Sequence, residues 1–152
     1  MKRKTLVKIH VIATIVAMLT ISTFFALSLA AELRGDPDLI KTVKRGILYA
    51  LPLLIIAMPT LAITGNQLAR NSKNPKVIEK KLRMKFVMIN GIVLISLVVF
   101  LYYQSHFKVI NTTFLIAQIA EFIFGLGNLT LIGLSARTGL MLSDKLRSEK
   151  NT

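Results

Sequence analysis

One carboxylate, Glu121, stands inside a long apolar run in the C-terminal half of the chain. A charged side chain in hydrocarbon costs roughly 2.5–3.5 kcal/mol on membrane-insertion scales, so this carboxyl must be protonated or face a partner inside the protein. Gln118, Glu121, Gly125 and Asn128 recur at three- and four-residue spacing on one helix face, here called the polar seam. The polar seam predicts either a neutral acid bonded to a neighbouring helix or a proton, substrate or cofactor site.

Two histidines offer a second kind of chemistry. His10 lies one turn inside the first apolar run and shares a helix face with Thr14 and Ala17, whose small side chains permit close packing. This residue is predicted either to bond a neighbour or snorkel to the interface, or to act as a proton carrier or haem axial ligand. His106 ends the third apolar run, so the two histidines are expected at opposite membrane faces and cannot clamp one haem iron within a single chain.

Small polar residues are expected at the same depth as His10. They come from the first, second, third and fourth apolar runs: Thr14, Thr60, Thr64, Asn90, Gly91 and Asn128. We expect Asn90 and Thr14 to border the polar seam. The group predicts either one polar pocket open to the inside or ordinary hydrogen bonds between helices.

Four apolar runs are long enough to cross a bilayer, which needs about 20 helical residues. The chain is 53% hydrophobic, more than a soluble domain of 152 residues can hide from water. The predicted fold is an all-α, up-down-up-down membrane four-helix bundle forming a single domain over residues 1–152. Its spans are predicted at residues 9–31, 46–66, 86–105 and 111–134. Asp36 with Pro37 and Asn74 with Pro75 are predicted to begin the second and third helices.

The distribution of Lys and Arg predicts the orientation. The N-terminus, second loop and C-terminal tail hold four, seven and four of the 20 basic residues, whereas the other two loops hold four and one. The positive-inside rule therefore predicts both termini in the cytoplasm of a bacterial inner membrane, with anionic lipids as contacts of the inner loops. The first run with Ser28 to Ala30 also resembles a signal peptide. It exceeds the usual apolar length of about 7–15 residues, so we expect this helix to be retained.

Composition excludes several classes of site. The chain has no cysteine, which removes disulfides, thiolate metal sites and cysteine catalysis, and two histidines cannot build a multi-histidine metal cage. The net charge of +13 lies in short segments between apolar runs, where it suits lipid headgroups and not a nucleic acid.

Three segments carry a distant resemblance to a known group of membrane proteins: KIHVIATIVAMLTISTFFAL, KRGILYALPLLIIAMPTLAITG and EKKLRMKFVMINGIVLISL. They resemble the first three helices of small bacterial four-helix proteins, the HemJ-type protoporphyrinogen oxidases and related copper-resistance-type membrane domains. The resemblance implies that His10 is a haem-associated histidine, that Lys81 is the family's functional lysine and that Glu121 corresponds to a polar position of the last helix. The chain has no tryptophan, and its first helix lacks the arginine and second histidine of that family, so the resemblance implies the scaffold more than that reaction.

Three function classes follow. The first is a redox protein that handles haem b or another porphyrin, with His10 as tentative axial ligand, Lys81 beside the cofactor and Glu121 as proton or propionate partner. The second is a non-catalytic accessory or assembly subunit that buries its polar seam against another membrane protein. The third is a small transporter subunit, acting through Glu121 and assembled from several copies.

Overall fold

The computed structural model describes the backbone of residues 3–69 and 75–148, and the side chains of these residues except 76 and 142–148. This part of the chain is all-helical: α1 Arg3–Arg34, α2 Pro37–Ala69, α3 Pro75–Phe107 and α4 Thr112–Ser148. Each helix is long and apolar enough to cross a membrane, which confirms the prediction of four membrane-length helices. At 1.5 Å per residue they are about 48–56 Å long, so they extend past a hydrocarbon layer of about 30 Å.

A two-residue turn joins α1 to α2. Gly35 adopts φ 64°, the left-handed conformation that ends many helices, and its amide donates to the carbonyls of Ala31 and Glu32. Asp36 then caps α2, since its Oδ1 accepts the Asp38 amide at 2.9 Å, and α2 begins at Pro37. The predicted Asp36 cap is confirmed. α3 begins at Pro75, as predicted, while Asn74 lies outside the described residues.

Helices that follow each other in sequence pack together, and α4 returns against α1. α1 and α3 have no Cα atoms within 8 Å of each other among the described residues, nor do α2 and α4, so these pairs lie across the diagonals of the bundle. His10 of α1 meets Thr64 of α2, and Ser28 meets Lys44. The two ends of the bundle are called the His10 end and the Gly35 end below.

Apolar side chains cover the outside of the bundle as well as its core. Each helix carries a large aliphatic residue that is 64–68% exposed: Leu19, Ile56, Ile92 and Ile123. A water-soluble bundle would pay the hydrophobic cost of exposing these residues, whereas lipid tails solvate them. The four helices are therefore compatible with a multi-pass integral membrane protein.

Candidate functional site: a buried lysine–glutamate pair

The inner face of α2 carries one charged residue. Its buried residues recur at alternating four- and three-residue spacing: Ile40, Lys44, Ile47, Leu51, Leu54, Met58, Leu61 and Gly65. This spacing keeps one stripe of the helix against its neighbours, and the stripe includes Lys44. Sequence reasoning placed Lys44 among the basic residues of the first loop, but the structure places it on the second turn of α2 with a side chain that is 1% exposed.

Lys44 and Glu121 form an ion pair inside the bundle. Lys44 Nζ donates to Glu121 Oε2 over 2.6 Å, and the Glu121 side chain is 8% exposed. Because α2 and α4 lie across a diagonal, the two side chains bridge the interior between helices whose backbones do not touch. The predicted alternatives for Glu121 were a neutral acid and a functional carboxylate. Neither named a lysine as its partner.

Two neutral residues hold the pair in place. Lys44 Nζ also donates to Ser28 Oγ of α1 at 3.0 Å, and Gln118 Nε2 donates to Glu121 Oε2 at 2.7 Å. Charge-assisted hydrogen bonds of this kind are about twice as strong as neutral ones. They offset the cost of taking an ammonium and a carboxylate out of water, which is several kcal/mol per ion. Together the pair carries no net charge, so the bundle buries two ions without burying a net charge.

A third ionisable group lies near the pair. Glu32 is one helical turn after Ser28 on the same face of α1. Its side chain is half-buried, and its buried Oε1 has no hydrogen-bond partner among the described residues. The Gly35 end of the bundle therefore holds a second carboxyl group in the neighbourhood of the Lys44–Glu121 pair.

A cavity of about 30 Å³ borders Glu121 on the side toward the His10 end. Apart from Glu121, mainly apolar groups line it, including the edge-to-face pair of Phe25 and Phe122, whose ring centroids are 5.2 Å apart. A space of this size has room for one or two water molecules. The Glu121 carboxyl thus has Lys44 on one side and this small cavity on the other, toward the middle of the bundle.

The polar seam continues along α4 beyond the cavity. Asn128 is 0% exposed, and neither polar atom of its side chain has a hydrogen-bond partner among the described residues. The same holds for the hydroxyl of Ser135, which is also buried. From α3, Asn90 Nδ2 approaches Gly127 to within 3.5 Å of where a β-carbon would stand. Buried polar atoms without partners are rare in proteins, so this line of groups is unusual for a purely structural core.

His10 is engaged at the other end of the bundle. Its Nδ1 lies 2.8 Å from Thr64 Oγ1, and that hydroxyl donates to the carbonyl of Thr60 at 2.6 Å. Since the hydroxyl hydrogen is used there, Nδ1 of His10 is the donor to Thr64. Thr14, expected to border the polar seam, donates to the His10 carbonyl of its own helix. The interpretation as ordinary interhelical hydrogen bonds fits His10 and Thr64 better than a polar pocket does.

The ring of His10 is closely packed within the bundle. The ring carbon Cε1 lies 3.3 Å from where a β-carbon of Gly65 would stand, and Met84 contacts the same point. The cavity at Glu121 lies elsewhere, and no group of three His, Cys, Asp or Glu residues is arranged for a metal in the described part of the chain. Lys81 is exposed, while its neighbour Lys80 approaches Gly139 of α4. The haem role of His10, Lys81 and Glu121 stays a prediction, and the absorption spectrum of the purified protein before and after dithionite tests it.

Gly65 offers a test of how tightly the His10 end is packed. Gly65→Val would place a β-carbon against the Met84 side chain and 3.3 Å from Cε1 of His10, and we expect a loss of about 1–3 kcal/mol in the free energy of unfolding. Gly46→Val on the same helix is the matched control, because no atom lies within 4 Å of its β-carbon position. Thermal unfolding in detergent should separate the two variants. Equal stabilities would show that Met84 and His10 move aside freely.

Comparison with family models, curated proteins and solved structures gave no match for this chain. The resemblance to HemJ-type and copper-resistance-type membrane proteins therefore stays a prediction.

Proposed function

We propose that this protein moves protons across a bacterial inner membrane, with the buried Lys44–Glu121 pair as the protonatable centre. The observation that carries the proposal is the 2.6 Å bond between an ammonium and a carboxylate that are 1% and 8% exposed. Ionisable groups inside membrane bundles are costly and typically belong to ion or proton pathways. The alternating basic segments support an orientation with both termini in the cytoplasm, which puts the Gly35 end outside.

Transfer of a proton within the pair leaves the net charge of the pair unchanged. A proton that passes from Lys44 Nζ to Glu121 Oε2 converts an ammonium and a carboxylate into an amine and a carboxylic acid. Glu32, half-buried at the Gly35 end, is placed to give the amine a new proton from the outside. The Glu121 carboxylic acid then releases its proton toward the cytoplasm, by way of the cavity and the polar groups of Asn128 and Ser135. One proton enters and one leaves in each cycle, so one positive charge crosses the membrane.

Proton flux into proteoliposomes tests this proposal. Vesicles holding a pH-sensitive dye are energised by a valinomycin-driven K⁺ gradient in sodium-free buffer. We expect the wild-type protein to acidify them several-fold faster than protein-free vesicles acidify. The double variant Lys44→Met/Glu121→Leu has no protonatable centre and should match the protein-free rate. Glu79→Gln is the matched control, because Glu79 is a carboxylate that is 65% exposed and pairs only with Arg83 among the described residues.

Two outcomes would contradict proton transport. One is a wild-type rate no higher than that of protein-free vesicles, and the other is an undiminished rate in the folded double variant. Either outcome would favour the accessory-subunit hypothesis, in which the pair only holds α1, α2 and α4 together.

A further inference from the structure

Lys44 Nζ occupies an oxygen-lined site between α1 and α4. Ser28 Oγ lies 3.0 Å and Glu121 Oε2 2.6 Å from the nitrogen. Hydroxyl and carboxylate oxygens at such positions are also the ligands that hard metal cations prefer. The Lys44 ammonium is therefore a cation of the chain itself, held by oxygens that could also bind a metal cation.

The same site has oxygens that Lys44 does not use. Gln118 is 1% exposed and gives its amide nitrogen to Glu121, which leaves its buried Oε1 without a hydrogen-bond partner among the described residues. Glu32 Oε1 is also buried and unpartnered within the described part of the chain. Leaving buried acceptors without donors costs free energy, so these two oxygens favour an additional positive or hydrogen-donating guest.

The net charge of the cluster also favours a positively charged guest. With both carboxyls ionised, Glu32 and Glu121 outnumber the single ammonium of Lys44, so the cluster has an excess of one negative charge. The other described charged residues of α1, α2 and the turn between them at this end are exposed or half-exposed: Arg34, Asp36, Asp38, Lys41 and Arg45. The ionisable groups of α3 and its following loop here are Tyr102, Tyr103, His106, whose Nδ1 faces Tyr102 and Ser105 of its own helix, and exposed Lys108. The excess charge lies where solvent screens it poorly.

We propose that Ser28, Glu32, Gln118 and Glu121 form a binding site for a small monovalent cation, for which the Lys44 ammonium is the built-in competitor. This inference rests on the proposed function and names a cation that competes with the protonated Lys44. With the Lys44 ammonium in place the cluster has an excess of one negative charge, which one monovalent cation balances. The neighbouring cavity of about 30 Å³ can hold a water that completes the shell of a monovalent ion.

Exchange follows from this competition. A cation that enters the site from one face adds a positive charge next to Lys44 Nζ. The ammonium then releases its proton toward the other face, and the amine that remains serves as a neutral ligand. One monovalent cation is bound for each proton released, so the charge of the cluster is the same before and after.

Cation-specific stabilisation tests the site. Thermal unfolding of the purified protein in detergent is measured in NaCl, KCl and choline chloride at equal ionic strength. Because a ligand that binds only the folded state raises its stability, we expect a higher Tm in NaCl or KCl than in choline chloride. The difference should shrink in Ser28→Ala and Glu32→Gln, which leave the ion pair intact. It should be unchanged in Glu79→Gln.

A wild-type Tm that does not depend on the cation would overturn the proposal, as would an undiminished difference in Glu32→Gln. The Tm experiment measures cation binding in detergent, where no gradient exists, whereas the flux experiment measures proton entry into vesicles, so each can fail without the other. Proton flux without cation-specific stabilisation would leave the protein a plain proton conductor. Cation-specific stabilisation without proton flux would separate the binding site from transport.

Discussion

We expect the Glu121→Lys variant not to assemble into a folded bundle. Glu121→Lys would place a second ammonium beside Lys44 Nζ, in a space where the present partners are 2.6 Å apart. Like charges repel strongly in a poorly solvated interior, and Gln118 Nε2 would lose its acceptor as well. We expect almost no monodisperse protein after detergent extraction and size-exclusion chromatography.

The charge-swapped variant Lys44→Glu/Glu121→Lys keeps one charge of each sign and should recover a large part of the folded yield. Asp38→Lys, at a position where the side chain is 93% exposed, should extract like the wild-type protein. If Glu121→Lys also extracted normally, the interior at this position would have to be hydrated or open to lipid headgroups. The Lys44–Glu121 pair would then not be a desolvated ion pair.

Removal of one partner at a time should cost more than removal of both. Lys44→Met and Glu121→Leu each leave an unpaired buried charge, and we expect each to lower the free energy of unfolding by about 3–5 kcal/mol. The double variant buries no charge, so it should regain most of that loss. Ser28 and Gln118 lose a partner in it, which keeps it below the wild-type stability. Unfolding by SDS titration in mixed micelles measures all four proteins.

Lys41→Met is the control for this cycle, since Lys41 lies one turn earlier on α2 with a side chain that is 42% exposed. It should change stability by no more than about 0.5 kcal/mol. Additive losses in the double variant would show that Lys44 and Glu121 do not interact, whatever their distance. Glu121→Gln should still fold, with a stability between those of the wild-type protein and Glu121→Leu, because its amide can still accept from Lys44.

The fold was largely predictable because its signals are local. Four apolar runs of membrane length predict four helices, and the Asp36–Pro37 pair predicts the start of α2 from its own chemistry. The helices extend beyond the predicted spans, since their charged ends continue the same backbone hydrogen bonds into the headgroup region. The need of Glu121 for a partner also followed from the cost of a charge in hydrocarbon.

The identity of that partner did not follow from local signals. Lys44 and Arg45 directly precede the second apolar run, and basic residues at such positions usually extend their charged ends to the membrane interface. A signal was present, because Lys44 falls on the same four- and three-residue stripe as Ile40, Ile47 and Leu51. Its connection to α4 across a diagonal depends on how all four helices are rotated in the bundle. That rotation is set by tertiary packing, which a single sequence does not display.

The tight turn at Gly35 and Asp36 bears on how the protein is made. α1 and α2 are synthesised before α4, and the short turn between them lets them pair as a hairpin in which Lys44 lies opposite Ser28. Glu121 follows 77 residues later, which is about 4–15 s of synthesis at usual elongation rates. Until α4 is synthesised, Glu32 is the carboxylate near Lys44 that can serve as its counter-ion. The α1–α2 hairpin can therefore insert into the membrane with a temporary counter-ion of its own.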